Sequence, residues 1–252
     1  MRSSMGTVRE LWRYPVKSMA GERVNALRVD GRGAGGDRTH AVLHEHKGAR
    51  KPLTAREAPR LLAWEARYPF NIDGGVDPAR PPFAIVTAPD GRSFRWGDPR
   101  LKHALESDLG RAVELARDVA GMQDLERSLL ITTEASLNTL GEELSGPVDL
   151  RRFRPNVHLD IGVPGWDDLT WKGRELIFAG GVRLRLLHPC ERCAIPTRHP
   201  DTQVKWPGLL RYLHDAHEQN FGINARVITG GRIEAGEAVD LIPASGFPAS
   251  GR

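Results

Sequence analysis

PCERCAIPTRHPDT, residues 189–202, holds the only two cysteines of the 252-residue chain, Cys190 and Cys193, with His188 immediately before it. Local chemistry leaves four readings of the pair open: a redox dithiol, half of a zinc site, two buried small residues, or one thiolate kept for a softer metal. A redox CxxC belongs at a helix N-terminus in a thioredoxin-like βαβ unit. Here the pair follows a hairpin strand and precedes AIPTRHPD, which does not start a helix promptly. Zinc needs two more ligands at suitable spacing. His188, His199, His214 and His217 are present, but no second CxxC and no linked HxxxH. His214 and His217 stand three apart on an amphipathic helix and read as solvated. Free cysteine is among the most buried residue types, so packing alone also accounts for either thiol. Thiolate suits softer metals, and a neighbouring cation, here Arg192, lowers a thiol pKa.

Working outward, the cysteines end a hairpin, ELIFAGGVRLRLL (175–187), in which AGG separates two period-2 runs. After them comes PGLLRYLHDAHEQNFG (207–222), an amphipathic helix with proline at its start and glycine past its end. ARVITGGRIEAGEAVDLI (225–242) reads as strand, Gly-Gly turn, connector and strand. Upstream, SLLITT (128–133) is a buried-strand candidate that leads into the helix EASLNTLGEEL (134–144), and FRPNVHLDI (153–161) alternates. In the first half, TVRELW (7–12), ERVNALRVD (22–30) and RTHAVLHEH (38–46) read as strands. TAREAPRLL (54–62) carries a mixed or helical pattern, and Asp98-Pro99 marks a helix start. The loop GRGAGGD (31–37) has too many glycines for a regular element and is free to fold round something. The expectation is a mixed α/β, β-rich fold, barrel-like, with a few helices and no strict βαβ alternation.

Composition agrees. There are 27 glycines and 18 prolines, against roughly 7% and 5% in average chains, which favours a turn-rich strand fold. Hydrophobic residues at 40% and charged residues at 27% describe a globular chain. A net charge of +4 with a pI of about 9.3 suits an anionic small molecule and argues weakly for nucleic acid, so no nucleic-acid partner is expected. The start MRSSMGTVRE is not a signal peptide, no apolar run reaches 18 residues, and two cysteines make no disulfide framework. A reduced, cytoplasmic protein without membrane association is expected.

The residues around the cysteines resemble a known family. PCERCAIPTRHPDT (189–202) is similar to the signature of MOSC-domain proteins, named for the C-terminal domain of molybdenum-cofactor sulfurases. Four further segments agree in order: LWRYPVKS (11–18), TAREAPRL (54–61), TEASLNTL (133–140) with RFRPN (152–156), and FGINARV (221–227) with GGRIEAGEAV (230–239). Together they resemble a MOSC N-terminal β-barrel domain, expected over 7–102, followed by a MOSC β-barrel domain over 103–243. This is the arrangement of the mitochondrial amidoxime-reducing component and its bacterial relatives.

The resemblance implies that Cys193 ligates molybdenum and that Cys190 packs behind it. The remaining ligands would be the dithiolene sulfurs of a molybdopterin and oxygen species. By the same resemblance, Lys17, Ser18, Arg38, Arg154 and Asn156 would hold the pterin and its phosphate, with Arg192 beside the thiol. The residue types suit that task. A phosphate monoester carries roughly −1.5 to −2 charges, arginine grips it bidentately, lysine adds a point charge, and a hydroxyl donates. Two positions depart from the family pattern. Gln203 stands where many relatives have glycine, so that turn is expected to differ. GMQDLERS (121–128) reads as lacking the serine and threonine hydroxyls that often help hold the phosphate.

The function implied is a molybdenum-cofactor (molybdenum–molybdopterin) oxidoreductase that reduces amidoximes, hydroxylamines or N-hydroxylated bases. His188 and His199 are the proton-donor candidates nearest Cys193. A cysteine-ligated iron–sulfur cluster needs four ligands, and no GxGxxG follows a strand, so electrons are expected from a separate ferredoxin- or flavin-type donor, with no fused ferredoxin domain. Two other readings use the same residues: a carrier of the cofactor or of a persulfide on Cys193, and a β-rich zinc or interaction module without catalysis.

Overall fold

The structure, a computed structural model, describes residues 5–69, 75–119, 121 and 128–243. Seven strands close into a barrel in the order Val157–Ile161, Leu129–Thr133, Asn220–Thr229, Arg183–Glu191, Glu175–Phe178, Ala238–Ile242 and Gly6–Arg13, the last pairing back to the first. Every pairing is antiparallel except Leu129–Thr133 with Val157–Ile161. The first strand of the chain therefore closes a barrel built otherwise from the second half. A register shift between Val8 and Glu10 lets Val8 and Leu11, three residues apart, both face inside, at 1% and 0% exposure, among Leu159, Leu176, Ile223 and Val239.

The expected single strand at 22–30 is two. Glu22–Val24 continues beside Leu11–Arg13, whereas Ala26–Asp30 pairs with Gly231–Glu234 and Gly33–Ala34. A second core gathers Val16, Met19, Leu53, Leu61, Trp64 and Leu101. It lies beneath two small sheets, one of Glu114–Arg117, His40–His46 and Ala49–Pro52, the other of Glu65–Arg67, Ile85–Thr87 and Ser93–Arg95. Helix α1 (Pro99–Leu109) starts where the sequence places it. Asp98 accepts from the Arg100 N–H, Pro99 takes the first turn, and Gly110 ends it at φ 64°. The residue pair 102/103 lies inside this helix, whose buried Leu101, Ala104 and Leu105 all join the second core.

Helices α2 (Glu134–Glu143) and α3 (Pro207–His217) cover the barrel through a third cluster around Phe153 and Phe221, stacked 3.8 Å apart. Helix α3 stops earlier than expected. Glu218 takes the left-handed cap, and Gly222 lies within the next strand at φ 73°, where an added Cβ would meet the Ile131 carbonyl at 2.6 Å. Among the described residues no helix is long and apolar enough to cross a membrane.

His40 ties the loop that follows the first strand to the second core. Its imidazole is fully buried against Trp96, with Nδ1 3.0 Å from Thr39 Oγ1 and 3.2 Å from the Pro15 carbonyl. Burial pushes its pKa down to about 4. The unfolded chain takes this proton below about pH 6.5 and the folded chain only near 4, so the stability involved is present above 6.5 and is lost on acidification. Between pH 7 and 5 the loss attributable to His40 is about 2 kcal/mol. Urea denaturation across that window is expected to show an acid sensitivity that shrinks by this amount in His40→Gln.

Candidate functional site

A cavity of about 680 Å³ lies where the barrel meets the smaller sheets. Lys17, Ser18, Arg38, Arg154, Asn156, Arg192 and Cys193 all line it, although they are drawn from four separate stretches of chain. The YPVKS loop leaves the first strand and is pinned by the Lys17 N–H to the His40 carbonyl (2.8 Å) and the His40 N–H to the Pro15 carbonyl (3.1 Å). The Arg38 N–H donates to the Tyr14 carbonyl (2.6 Å), and the Ala55 N–H donates to Ser18 Oγ (3.0 Å). Ser18, Arg38 and Arg154 have φ of 68°, 51° and 57°. Left-handed backbone at a non-glycine costs on the order of 1 kcal/mol and concentrates at functional sites. Here it occurs at three lining residues of one cavity.

Tyr14 organises the cations. The Arg154 guanidinium carbon lies 4.2 Å from the centre of its ring and that of Arg38 4.9 Å. Arg38 also pairs with buried Asp37, which accepts from the Tyr14 N–H (2.8 Å). Among the described residues Arg154 has no comparable carboxylate partner. Its Nη1 donates to the Met19 carbonyl (2.6 Å), and its Nη2 is buried with no hydrogen-bond partner. Burial first, and then the like charge of Arg38, lowers its pKa to about 10. Burial likewise pushes the Tyr14 phenol up. Such an arrangement is short of negative charge.

The two cysteines differ in their contacts. Arg192, read from the sequence as the cation beside Cys193, turns instead to Cys190. Its Nη1 lies 3.1 Å from Cys190 Sγ and its Nη2 donates to the Phe153 carbonyl at 2.7 Å. Both thiols are half-buried and face the cavity.

A MOSC domain model matches residues 88–240, and a MOSC N-terminal beta barrel domain model matches residues 5–81. The chain belongs to the MOSC family. It is 26% identical over 237 residues to mitochondrial amidoxime reducing component 2 of Homo sapiens, covering 79% of this chain and 69% of that protein. It is 25% identical over 240 residues to mitochondrial amidoxime-reducing component 1 of Mus musculus, covering 79% and 68%. Among solved structures, the YUAD protein from Bacillus subtilis aligns with TM-score 0.49 at 17% identity, covering 94% of each chain. YiiM from Geobacillus stearothermophilus aligns with TM-score 0.36 at 18% identity, covering 45% of this chain and 53% of that one.

In this MOSC chain the other candidate residues divide clearly. His188 lines the cavity, with Nδ1 2.9 Å from the Pro189 carbonyl. His199 does not line it; its Nδ1 accepts from the N–H groups of Asp201 and Thr202, holding a turn. His214 is exposed, and His217 stacks on Trp166 at 3.5 Å. Gln203, expected to alter its turn, adopts φ 61°, the conformation glycine favours, so the turn accommodates the exchange. Of GMQDLERS, residues 122–127 lie outside the described set, but Ser128 lines the cavity, so the stretch does supply a hydroxyl.

Sequence reasoning missed Tyr14, Thr54, Arg56 and Asn224. All four fall inside segments that carry the family resemblance, which is the signal that could have found them. A second cavity of about 560 Å³ shares Arg154 and Ile195 with the first. Its Arg151 is already tied to Asp149 and Asp201 at 2.6–2.8 Å, and it is lined by no thiol, whereas both cysteines line the first cavity.

The Asn156 side chain uses both ends of its amide on the backbone. Its Oδ1 accepts from the Leu130 N–H (3.2 Å) and its Nδ2 donates to the Trp12 carbonyl (3.3 Å). Asn156→Ala leaves two buried backbone groups unpaired and is expected to cost about 1–3 kcal/mol by chemical denaturation. Exposed-site controls such as Lys102→Ala should stay within about 0.5 kcal/mol.

Proposed function

We propose that this protein is a molybdenum-cofactor oxidoreductase that reduces N-hydroxylated compounds, with electrons from a separate ferredoxin- or flavin-type donor protein. One observation carries the reading: seven residues nominated from sequence, spread from position 17 to 193, converge on one cavity. The donor set fits the cofactor. Cys193 offers a soft ligand with no hydrogen bond holding its thiol among the described contacts, while Cys190 is engaged by Arg192. Lys17, Arg38 and Arg154 offer the charge a phosphate monoester requires, and the unpaired Arg154 Nη2 is a buried donor that an anionic group would satisfy. The volume, about 680 Å³, lies within the usual range for cofactor sites. The names of the amidoxime reducing component relatives support the same chemistry.

In this reading Cys193 is the protein's metal ligand. Lys17, Ser18, Arg38 and Arg154 hold the phosphate and pterin, and Asn156 and Arg192 keep the wall and Cys190 in place. The bound group supplies a two-electron reductant at a metal with an open position. The overall change is amidoxime plus two electrons and two protons giving amidine and water. The chain's part is to orient the N–O bond and to deliver protons. His188 is the lining histidine suited to the second task, with its Nδ1 2.9 Å from the Pro189 carbonyl fixing the ring beside Cys190. That the 252 residues hold two cysteines, short of the four an iron–sulfur cluster needs, supports an electron donor outside this chain.

Protein from a molybdenum-replete host should carry near-stoichiometric molybdenum and, with artificially reduced dye, convert benzamidoxime to benzamidine. Cys193→Ala should lose the metal and the activity, whereas Cys190→Ala should keep a good part of both. Equal loss in the two variants would overturn the ligand assignment. Protein without molybdenum but with a persulfide mass increment on Cys193 would favour a sulfur carrier instead.

A further inference from the structure

A cluster outside the candidate cofactor site is assigned no role by that reading. His44 and His46 stand two apart on the strand His40–His46 and therefore share a face. Glu57 reaches the same face from the turn that follows Ala49–Pro52. One ligand atom from each residue lies within 4.8 Å of the other two. Two backbone bonds fold this turn, from the Glu57 and Ala58 N–H groups to the Thr54 carbonyl (2.9 Å each). Thr54 grips Glu57 Oε2 through its N–H (3.3 Å) and its hydroxyl (3.1 Å). Glu57 Oε1 then stands 3.6 Å from His44 Nε2.

His44 is 8% exposed, and its Nε2 is buried with no hydrogen-bond partner. A buried imidazole nitrogen that faces a carboxylate oxygen just beyond hydrogen-bond reach lacks something between them. In a tetrahedral zinc site with bonds of about 2.0–2.1 Å, neighbouring ligand atoms lie about 3.3–3.4 Å apart, close to the spacing here. The other comparable cluster among the described residues, Asp149, His199 and Asp201, has no such opening. Arg151 fills it, and the His199 Nδ1 already takes two backbone N–H groups.

We propose that His44, His46 and Glu57 form a binding site for a divalent transition metal of the zinc class, with a position left open for water. Imidazole and carboxylate are the ligand types zinc takes at sites with three protein ligands. A cation already occupies part of the space: Lys51 Nζ lies 2.9 Å from Glu57 Oε1. The Lys51 side chain is 39% exposed and can swing into water when a divalent ion arrives. The site also touches the cavity indirectly. Thr54 and Arg56 line it and Ala55 donates to Ser18, so a metal on Glu57 clamps this lining segment to the strand that carries His44.

The test is calorimetric titration of ZnCl2 into chelator-treated full-length protein, repeated in Cys190→Ser/Cys193→Ser so that the thiols do not compete. One zinc per chain should bind in both. His46→Ala and Glu57→Gln should each weaken binding at least tenfold while circular dichroism shows an unchanged fold, since neither side chain is in the core. Lys51→Ala should strengthen binding up to about thirtyfold, the effect of removing one unit charge about 4 Å from a divalent ion through water. Hydrogen exchange over residues 54–58 should slow on adding zinc. Unchanged affinity in His46→Ala and Glu57→Gln, or loss of all zinc binding with the two cysteines, would overturn the proposal. Because the readout is zinc, its failure is separate from a failure to find molybdenum.

Discussion

Four hydrogen bonds at Asn156 hold the site together. Its backbone N–H donates to the Leu130 carbonyl (2.9 Å), and its carbonyl accepts from the Trp12 N–H (3.0 Å). Its side-chain amide makes the reverse pair, taking the Leu130 N–H and giving to the Trp12 carbonyl. One residue thereby fastens three barrel strands at one level, where Leu11 and Ile131 both face Val157 and Leu130 faces Asn224. Everything the cavity needs extends from that level: the YPVKS loop beyond Trp12, Ser128 before Leu129, and Arg154 two residues before the asparagine itself. An apolar replacement would remove the side-chain half of this arrangement and let those segments drift independently.

The second determinant is unbalanced charge. Buried arginines normally meet carboxylates, because isolation of a charge from water costs several kcal/mol. Of Arg38, Arg154 and Arg192 near Tyr14, only Arg38 has such a partner among the described residues, Asp37. Arg154 is held by a carbonyl oxygen and the tyrosine face, and Arg192 by a carbonyl and a sulfur. The fold tolerates this through ring contacts and carbonyl oxygens, which stabilise cations without neutralising them. A cavity so built favours a dianion over a neutral ligand before any specific contact is considered.

Much of this was legible in the chain and some was not. Strands such as Leu129–Thr133 and the hairpin at 175–191 follow from alternation and turn residues, and the start of α1 follows from Asp98-Pro99. The site residues were legible only as a linked set, since a lone lysine or arginine reads as surface. Three things were hidden. That Gly6–Arg13 belongs to the barrel of the second half is a long-range pairing with no local signature. The orientation of Arg192 toward Cys190 depends on the Phe153 carbonyl 39 residues away in sequence, which adjacency to Cys193 does not reveal. The positive φ at Ser18, Arg38 and Arg154 is invisible because none of them is glycine.

The place of the opening strand also bears on how the protein can be cut. Gly6–Arg13 lies between Val157–Ile161 and Ala238–Ile242. A fragment trimmed to the second half would therefore present two bare strand margins, the condition under which sheets recruit foreign strands and aggregate. The two family segments are thus interlocked and cannot serve as interchangeable modules, and any excision, fusion or permutation must carry the first dozen residues along with the barrel they complete.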